Sequence, residues 1–333
     1  MERYARQLVL PQVGEDGQRK MSDSRIAVVG IGALGSLSSI LLARAGVGHL
    51  TVIDRDVVEL DNLQRQVLFD ERDIGEAKAI VARRKLKEIN STIAVESIPS
   101  DLMPKNVHEI LGDVDVVVDG LDNMGTRFIV NDYCIKNRIP FVYGGAVATY
   151  GMTMTIIPGK TACFECLFPS LPPAGSVATC ETEGILNTVP ATISSVQAAE
   201  ALRLVLDEDI GGKLLTYDAW SQEFNQMDIS RNDECPSCRR REFRFLSQDD
   251  ADLAVSLCGR EAVSISPMAT ERVDFDSLEA RLRKVGRTRR SEGILVFTAE
   301  GHRITVFQNG RVLVSGTGDV AKARSLYSRF IGD

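Results

Sequence analysis

The chain has 333 residues, of which 44% are hydrophobic and 26% charged, so its apolar content suffices for one large core and its length allows a second, smaller domain. No apolar run approaches the roughly 20 residues that a membrane-spanning helix needs, and the N-terminal residues lack the charged-then-apolar order of a signal peptide, so we expect a cytosolic protein that does not act in a membrane. A formal net charge of −7 argues against a nucleic-acid partner held mainly by its phosphates.

A glycine-rich turn lies between two apolar strands near the N-terminus. Residues 25–54 are predicted to form a strand, a turn, a helix of small residues and a second strand, which is one βαβ unit. Gly30, Gly32 and Gly35 have the G-x-G-x-x-G spacing that lets a backbone approach phosphate or ribose, and Asp54 ends the second strand, where it can accept hydrogen bonds from ribose. The pattern predicts an α/β, Rossmann-like domain with a mostly parallel sheet. Enzymes that bind NAD, FAD, S-adenosylmethionine or ATP all share this glycine pattern.

Polar and cationic residues follow the second strand. Asn62, Arg65 and Lys78 lie on the segment that leaves the carboxyl edge of the predicted sheet, where open α/β sheets bind ligands. Adenylation of a carboxylate expels pyrophosphate, and the charge that grows on this leaving group requires fixed cations. A dehydrogenase has no such need, because a helix N-terminus holds its pyrophosphate. The residues therefore favour ATP chemistry, with ordinary solvated surface charge as the alternative for Arg65 and Lys78.

A further apolar strand is predicted to end at Asp119. Asp122 follows it closely, and a carboxylate at that position could hold Mg²⁺ against the phosphates. The alternative is that Asp122 caps the helix predicted to begin near Met124. The residues by themselves leave both roles open.

Four of the seven cysteines form two C-x-x-C pairs, Cys163 with Cys166 and Cys235 with Cys238. Two such pairs supply the four thiolates of a closed, tetrahedral structural zinc site. The zinc would tie together two segments that are distant in sequence. A thioredoxin-like redox pair is the competing interpretation, but neither motif opens a helix after a strand as that interpretation requires.

A separate cysteine, Cys180, lies in a segment rich in Pro, Gly, Ser and Thr, which we expect to be an extended, mobile loop before a helix opened by Pro190. A thiol on such a loop could attack an activated acyl group. Against this, Glu181 and Glu183 would raise its pKa rather than lower it. The residues leave open whether Cys180 is an acyl acceptor or an incidental cysteine.

Taken together, these residues resemble the ThiF/MoeB/HesA family of activating enzymes for ubiquitin-like proteins, over about residues 1 to 240. The motifs that carry the resemblance are RYARQ (3–7), GIGALG (30–35), AGVG (45–48), DNLQRQ (61–66), IGEAKA (74–79), GLDN (120–123), both C-x-x-C pairs and TCETEGIL around Cys180.

The resemblance implies a role for each matching residue. It implies that Asp54 contacts the ribose of ATP, that Asp122 serves Mg²⁺, and that Arg6 reaches into the ATP site of a neighbouring subunit in a homodimer. The residues that it assigns to the phosphates are Asn62, Arg65 and Lys78. Cys180 aligns with a cysteine that forms a covalent link to the carrier protein in some members and is dispensable for adenylation in others.

The implied reaction is ATP-dependent adenylation of the C-terminal glycine carboxylate of a ubiquitin-like or sulfur-carrier protein ending in Gly-Gly, followed in some members by transfer to the cysteine. The activated tail becomes a thiocarboxylate for sulfur transfer or is conjugated to lysines. Two alternatives from other classes are an NAD-dependent oxidoreductase, which shares the glycine pattern, and a non-catalytic scaffold that binds nucleotide.

The rest of the chain is predicted to form a small α+β domain. Its expected elements are a helix within 273–286, a strand within 293–300, a hairpin within 302–316 that turns at Asn309 and Gly310 as type I′, and a final helix within 318–332. The predicted units are an adenylating domain with the zinc site (1–240), a linker (241–260) and the small domain (261–333). Cys258 lacks the setting of a rhodanese active site, so we expect it to be inert and partly buried.

Overall fold

The computed structural model describes residues 2–173, 179–180, 182–247, 262–265 and 273–332. Within these ranges the N-terminal part forms an eight-stranded sheet in the order β3-β2-β1-β4-β5-β6-β7-β8. The first five strands in this order are parallel, and the remaining pairs are antiparallel. Its strands are β1 (Arg25–Val29), β2 (His49–Ile53), β3 (Ala94–Ile98), β4 (Val116–Asp119), β5 (Phe141–Val147), β6 (Tyr150–Ile156), β7 (Lys213–Asp218) and β8 (Glu223–Asp228).

Helices cover both faces of this sheet, as expected for a parallel sheet whose crossovers are helical. Their bounds are α1 (Ala5–Leu8), α2 (Gly14–Asp23), α3 (Ala33–Ala45), α4 (Lys78–Ile89), α5 (Val107–Leu111), α6 (Met124–Asn137), α7 (Phe164–Leu167) and α8 (Thr188–Val205). Side chains of β1 alternate between the two layers: Ile26 packs with α3, α4 and α8, whereas Ala27 packs with α5 and α6. None of the helices in the described ranges combines the length and apolarity needed to cross a bilayer.

The C-terminal residues form a second sheet, five-stranded and antiparallel within the described ranges, in the order β10-β11-β12-β13-β9. Its elements are β9 (Ala262–Ile265), α9 (Phe275–Leu282), β10 (Arg287–Ser291), β11 (Ile294–Ala299), β12 (His302–Phe307), β13 (Val312–Ser315) and α10 (Val320–Phe330). One face of the sheet packs against α9 and α10, and the other contacts the N-terminal domain. The predicted fold class, a Rossmann-like domain with a small α+β domain, is confirmed.

Two local predictions need correction. The hairpin between β12 and β13 exists, but Val306 pairs with Val312 and the backbone nitrogen of Phe307 donates to the oxygen of Arg311 (2.8 Å), which leaves a three-residue loop. Both central residues of a type I′ turn have positive φ, whereas here Gly310 has φ +84° and the φ of Asn309 is not positive. Helix α8 begins at Thr188, so Pro190 lies within its first turn, where proline is tolerated, and not at its start.

Strand β10 was not predicted from the sequence. The sequence of β10, RTRRS, has three arginines and no apolar residue, so it lacks the alternation that indicates a strand. It is an edge strand of its sheet, where charged side chains discourage pairing with another chain.

Cys258 and most of the predicted linker lie outside the described residues. Residues 241–247 are described, and Phe245 is buried against the aromatic ring of Phe128 on α6 (centroids 4.5 Å apart).

Candidate active site and cysteine cluster

Two glycines of the turn after β1, Gly30 and Gly35, are packed too closely for a side chain. Gly30 has φ +88°, and a Cβ there would lie 2.5 Å from the carbonyl oxygen of Gly120, in the turn after β4. A Cβ on Gly35 would lie 1.9 Å from the carbonyl oxygen of Gly30. Gly32 precedes the first residue of α3. The predicted close approach of helix to strand is therefore present at Gly30 and Gly35.

Asp54 follows β2 and is fixed against this turn. One of its carboxylate oxygens accepts a hydrogen bond from the backbone nitrogen of Ile31 (2.7 Å), and the other accepts one from the nitrogen of Asp56 (2.7 Å). Burial raises the pKa of Asp54, and the charge of Lys78 acts in the opposite direction. Contact between this carboxylate and the ribose of a nucleotide stays a prediction.

Lys78 is the first residue of α4 and points into the protein, with only 3% of its side chain exposed. Its ammonium lies 3.6 Å from the carboxylate of Asp56, and its backbone nitrogen donates to the carbonyl oxygen of Asp56 (2.9 Å). The reading of Lys78 as a solvated surface charge is therefore wrong. A buried cation at a helix N-terminus, close to the glycine turn, is placed to attract anions.

Arg65 and Asn62 belong to the segment between β2 and α4. The guanidinium of Arg65 donates to the carbonyl oxygen of Asp61 (2.8 Å) and remains half-buried. Asn62 is fully buried, and its side chain bonds within its own short helical turn, accepting from the backbone nitrogen of Glu59 (3.3 Å) and donating to Asp61 (3.0 Å). Asn62 thus shapes the loop that carries Arg65. Direct phosphate contacts by these two residues stay predictions.

Asp122 lies in the turn between β4 and α6, and it is exposed. The helix begins at Met124, as predicted, but its cap is Asn123, whose side chain accepts from the backbone nitrogen of Thr126 (2.9 Å). Asp122 is therefore free of the capping role that was its alternative, and its carboxylate faces the solvent at the carboxyl edge of the sheet.

A buried ion pair that the sequence analysis missed supports this turn. Arg127 donates to the carboxylate of Asp119 (2.9 Å) and to the carbonyl oxygens of Leu121 (2.5 Å) and Gly144 (2.9 Å). Burial raises the pKa of Asp119, whereas Arg127 and backbone donors lower it. The available signal was an arginine directly before three apolar residues, eight residues after a strand-end aspartate. The pair fixes the turn that presents Asp122.

Cys180 lies near these groups. Its sulfur contacts the carbonyl oxygen of Ala146 at the end of β5 (3.6 Å), and the charges of Arg65 and Asp122 both act on it. Its pKa is raised, as predicted, but burial is the main cause; Arg65 opposes this rise and Asp122 adds to it. Glu181 lies outside the described residues. The sequence analysis brought Cys180 and Arg65 together only through a resemblance, and the fold brings them together in space.

The four cysteines of the C-x-x-C pairs meet in space, with all four sulfur atoms within 4.8 Å of one another. Three of the sulfur–sulfur distances are 3.8 Å (Cys163 to Cys166), 3.6 Å (Cys163 to Cys235) and 3.5 Å (Cys166 to Cys238). Ligands at the zinc–sulfur distance of about 2.3 Å at the corners of a tetrahedron are about 3.8 Å apart. The cluster therefore has the size and donors of a zinc site, and the redox-pair interpretation loses its support.

A buried polar network joins this cluster to α6. The side chain of Asn131 accepts from the backbone nitrogen of Phe164 (2.9 Å) and donates to the hydroxyl of Ser237 (3.1 Å), between the cysteines of the second pair. Glu165, itself buried, accepts from the nitrogen of Ser237 (3.1 Å). These bonds fix the backbone of both C-x-x-C segments, as ligand-supporting groups do in metal sites.

Arg6 lies apart from these groups, exposed on α1, and near it Val9 and Leu10 are 76% and 51% exposed. The structure thus brings together the glycine turn, Asp54 and Lys78, and it brings Cys180 within electrostatic range of Arg65 and Asp122. Arg6 does not join them within one chain.

Comparison with known proteins matches this arrangement. The ThiF family model covers residues 4–237. The chain is 38% identical to the sulfur carrier protein ThiS adenylyltransferase of Bacillus subtilis over an alignment that covers 99% of each protein, and so includes the C-terminal domain. It is 40% identical to the SAMP-activating enzyme E1 of Haloferax volcanii, over 72% of this chain and 88% of that protein.

Among solved structures, that of E. coli MccB is similar, with a TM-score of 0.62 at 25% identity, over 71% of this chain and 72% of MccB. The family model and the named relatives confirm the prediction of an activating, adenylating enzyme. The chain therefore belongs to the ThiF family and is an enzyme of the adenylyltransferase type.

Proposed function

We propose that this enzyme uses ATP and Mg²⁺ to adenylate the C-terminal carboxylate of a small ubiquitin-like or sulfur-carrier protein that ends in Gly-Gly. The observation that carries the proposal is the buried ammonium of Lys78 beside Asp54 and the glycine turn, because it supplies a fixed cation where a nucleotide would lie. The substrate class is supported by the names of the two relatives, which specify ThiS and SAMP.

In the reaction, an oxygen of the carrier's terminal carboxylate forms a bond to the α-phosphorus of ATP. The bond from that phosphorus to the oxygen bridging the β-phosphate breaks, and pyrophosphate leaves with the electron pair. Lys78 and Arg65 stabilise the charge that grows on the leaving group, and Asp54 holds the ribose. Asn62 acts by fixing the loop that carries Arg65.

Asp122 would hold Mg²⁺. Sites for Mg²⁺ on nucleotides commonly use one or two carboxylates together with phosphate oxygens, and the ion offsets the phosphate charge. Asp122 fits this description, since it is exposed at the edge of the sheet and Asn123 has taken over the helix cap.

The four clustered cysteines would hold one Zn²⁺ with a structural role, joining the segment before α7 to the segment after β8. Because all four positions are filled by protein sulfur, such an ion has no open site for chemistry. Metal analysis of the purified protein should find one zinc per chain, and Cys180→Ala should leave that content unchanged, whereas Cys238→Ala should lower it.

Transfer to Cys180 is the proposed second step. The thiolate would attack the carbonyl carbon of the acyl adenylate, forming a thioester while AMP leaves with the electron pair of the broken bond. The nearness of Arg65 and Asp122 to Cys180 supports this role, because the same residues are assigned to the nucleotide. The carrier held as this thioester would then be the substrate for sulfur transfer.

We further propose a cytosolic homodimer in which Arg6 completes the partner's nucleotide site. The exposure of Arg6, together with that of Val9 and Leu10 on the same segment, supports a contact with another subunit. A lone chain would then lack one of its cations.

The test is exchange of labelled pyrophosphate into ATP, with ubiquitin-like proteins of the enzyme's own host as carriers. We expect exchange that requires Mg²⁺ and an intact Gly-Gly tail, with the same carrier lacking those two residues as the matched control. An NAD-dependent oxidoreductase would give no exchange, and a scaffold would bind ATP without exchange. Either result with every Gly-Gly carrier of the host would overturn the proposal.

A further inference from the structure

The C-terminal domain contacts the N-terminal domain next to the residues that follow β2 and begin α4. Ile294 and Phe307, from β11 and β12, are fully buried against Val57, Ala77 and Ile80. These five residues form what we call the interdomain joint. Ala77 directly precedes Lys78, and Val57 directly follows Asp56, so the joint abuts both partners of the buried ion pair.

Arg311 reaches across this joint. It lies between the hairpin loop and β13, and only 3% of its side chain is exposed. Its guanidinium lies 3.3 Å from the carboxylate of Asp101, donates to the carbonyl oxygen of Arg55, and stacks 3.8 Å from the ring centroid of Phe307. A long side chain of one domain is therefore held among polar groups of the other.

The groups around Arg311 form a charge cluster that alternates in sign. Arg55 lies 2.9 Å from Asp101 and 3.6 Å from Asp56, and Asp56 lies 3.6 Å from Lys78. Asp54 interacts with Lys78 and with Asp56. We define the cluster as three carboxylates and three cations: Asp54, Asp56, Asp101, Arg55, Lys78 and Arg311. Asp122 also acts on Arg55, but it is assigned to the proposed Mg²⁺ site and is not counted here.

Arg311 interacts electrostatically with all three carboxylates of the cluster. Burial lowers the pKa of its guanidinium, while Asp101, Asp56 and Asp54 act in the opposite direction, so all three carboxylates lie within its range. Arginine remains charged in proteins despite such shifts. The three positive charges therefore balance the three negative ones, and one positive charge comes from the C-terminal domain.

We propose that Arg311 is a positioning residue of the nucleotide site, which neutralises the Asp101–Asp56–Asp54 carboxylates so that the site accepts a triphosphate. The inference rests on the proposed nucleotide site. Without Arg311 the cluster carries a net negative charge beside the phosphates, and Arg55 and Lys78 are drawn more strongly to the remaining carboxylates. Both effects weaken the binding of anions in proportion to their charge.

The rival explanation is that Arg311 only fastens the two domains together. If that were its only role, substitution of Arg311 would lower the stability of the protein and would weaken the binding of all nucleosides and nucleotides equally. The charge-balance role predicts a loss that grows with the number of phosphates on the ligand, and this difference separates the two.

Calorimetric titration of the full-length protein with ATP, AMP and adenosine in buffer without Mg²⁺ tests the proposal without a carrier, because free ATP carries about four negative charges, AMP about two and adenosine none. We expect Arg311→Gln to weaken ATP binding roughly tenfold, a typical size for coupling between neighbouring groups. AMP should weaken less, and adenosine should bind as in the wild type. Arg311→Lys keeps the charge and should recover most of the affinity for ATP. The matched control is Arg303→Gln, an exposed arginine of the same domain, which should bind all three ligands normally.

Asp101→Asn removes a negative charge from the cluster instead of a positive one. It therefore tests the charge balance even if the Arg311 variants fail to fold. Removing an anion should leave ATP binding as tight as in the wild type or tighter, and combining Asp101→Asn with Arg311→Gln should restore part of the lost affinity. Equal weakening of ATP and adenosine by Arg311→Gln, unchanged ATP binding in that variant, or a tenfold loss in Asp101→Asn would overturn the inference. A wild type that does not bind ATP would instead refute the proposed function.

Discussion

Lys78 is the residue on which the phosphate assignment depends most, because it is charged, buried and paired with Asp56 at 3.6 Å rather than with solvent. A preorganised cation stabilises the departing pyrophosphate more than water can, and loss of such a contact typically costs about 3 kcal/mol. We expect Lys78→Ala and Arg65→Ala each to reduce carrier-dependent pyrophosphate exchange by more than an order of magnitude.

The matched control for both variants is Arg72→Ala, since Arg72 lies in the same segment but is 88% exposed in a surface ion pair with Asp70. Its exchange rate should stay close to that of the wild type. If Lys78→Ala and Arg65→Ala also exchange at that rate while remaining folded, the phosphate-binding assignment is wrong.

The thiol of Cys180 leads to a prediction about pH. Its pKa is raised chiefly by burial, so at neutral pH the group is mostly the unreactive thiol. Below the pKa, the thiolate fraction increases about tenfold per pH unit. The rate of thioester formation from a preformed acyl adenylate should therefore rise steeply between neutral and alkaline pH, as measured by mass spectrometry of the trapped enzyme–carrier adduct.

Cys180→Ala supplies the reference for this experiment, because it should abolish the adduct and leave pyrophosphate exchange intact. A rate of adduct formation that does not change with pH, or an adduct that persists in Cys180→Ala, would show that another nucleophile accepts the carrier.

At the scale of elements, β7 and β8 extend the sheet beyond the part needed for nucleotide binding. Their connection bonds to the β5–β6 turn through the nitrogen of Ala219 and the oxygen of Thr149 (2.8 Å), near the Ala146 carbonyl that Cys180 contacts. Trp220 is 81% exposed in this connection, and Phe224 is 57% exposed at the start of β8. Because their connection bonds to the turn that follows the strand in contact with Cys180, we expect these exposed aromatic residues to bind the carrier protein.

Buried aromatic anchors dominate protein interfaces, and their truncation commonly costs about 2 kcal/mol or more. We expect Trp220→Ser and Phe224→Ser to raise the KM for the carrier at least tenfold while leaving the KM for ATP unchanged. Val285→Ser, which alters a side chain 60% exposed in the C-terminal domain, should change neither constant. An equal rise in both KM values would indicate a damaged fold, and no rise would place the carrier elsewhere.

Elements whose residues carry a local signal were predictable from sequence, and those defined by distant partners were not. The βαβ unit with Gly30 and Asp54 follows from periodicity and spacing within 30 residues. In contrast, β10 is an arginine-rich edge strand without apolar alternation, and Arg311 acts on Arg55, 256 residues away. Contacts over such separations leave no pattern in a single sequence, because neither residue is unusual in its own segment.

At the scale of the whole molecule, the four paired cysteines could be predicted as one cluster because zinc chemistry specifies the number and spacing of its ligands. No comparable chemical rule specifies from the sequence where Arg6 lies relative to the nucleotide site. Within one chain, Arg6 is exposed on α1 and lies apart from the glycine turn, so its implied role requires a second copy. If the proposed role of Arg6 holds, the nucleotide site is complete only when two subunits share it.

A subunit-mixing experiment tests this sharing. Arg6→Ala and Lys78→Ala should each inactivate their own homodimers, but a mixed dimer would contain one site with Lys78 from one chain and Arg6 from the other. With random exchange of subunits in an equal mixture, about a quarter of all sites are intact, so pyrophosphate exchange should recover to about a quarter of the wild-type rate. The matched control is Lys78→Ala mixed with Arg65→Ala, since both residues serve the site of their own chain and no mixed site is intact. Recovery in the control, or none in the Arg6 mixture after subunit exchange is verified by native mass spectrometry, would contradict the shared site.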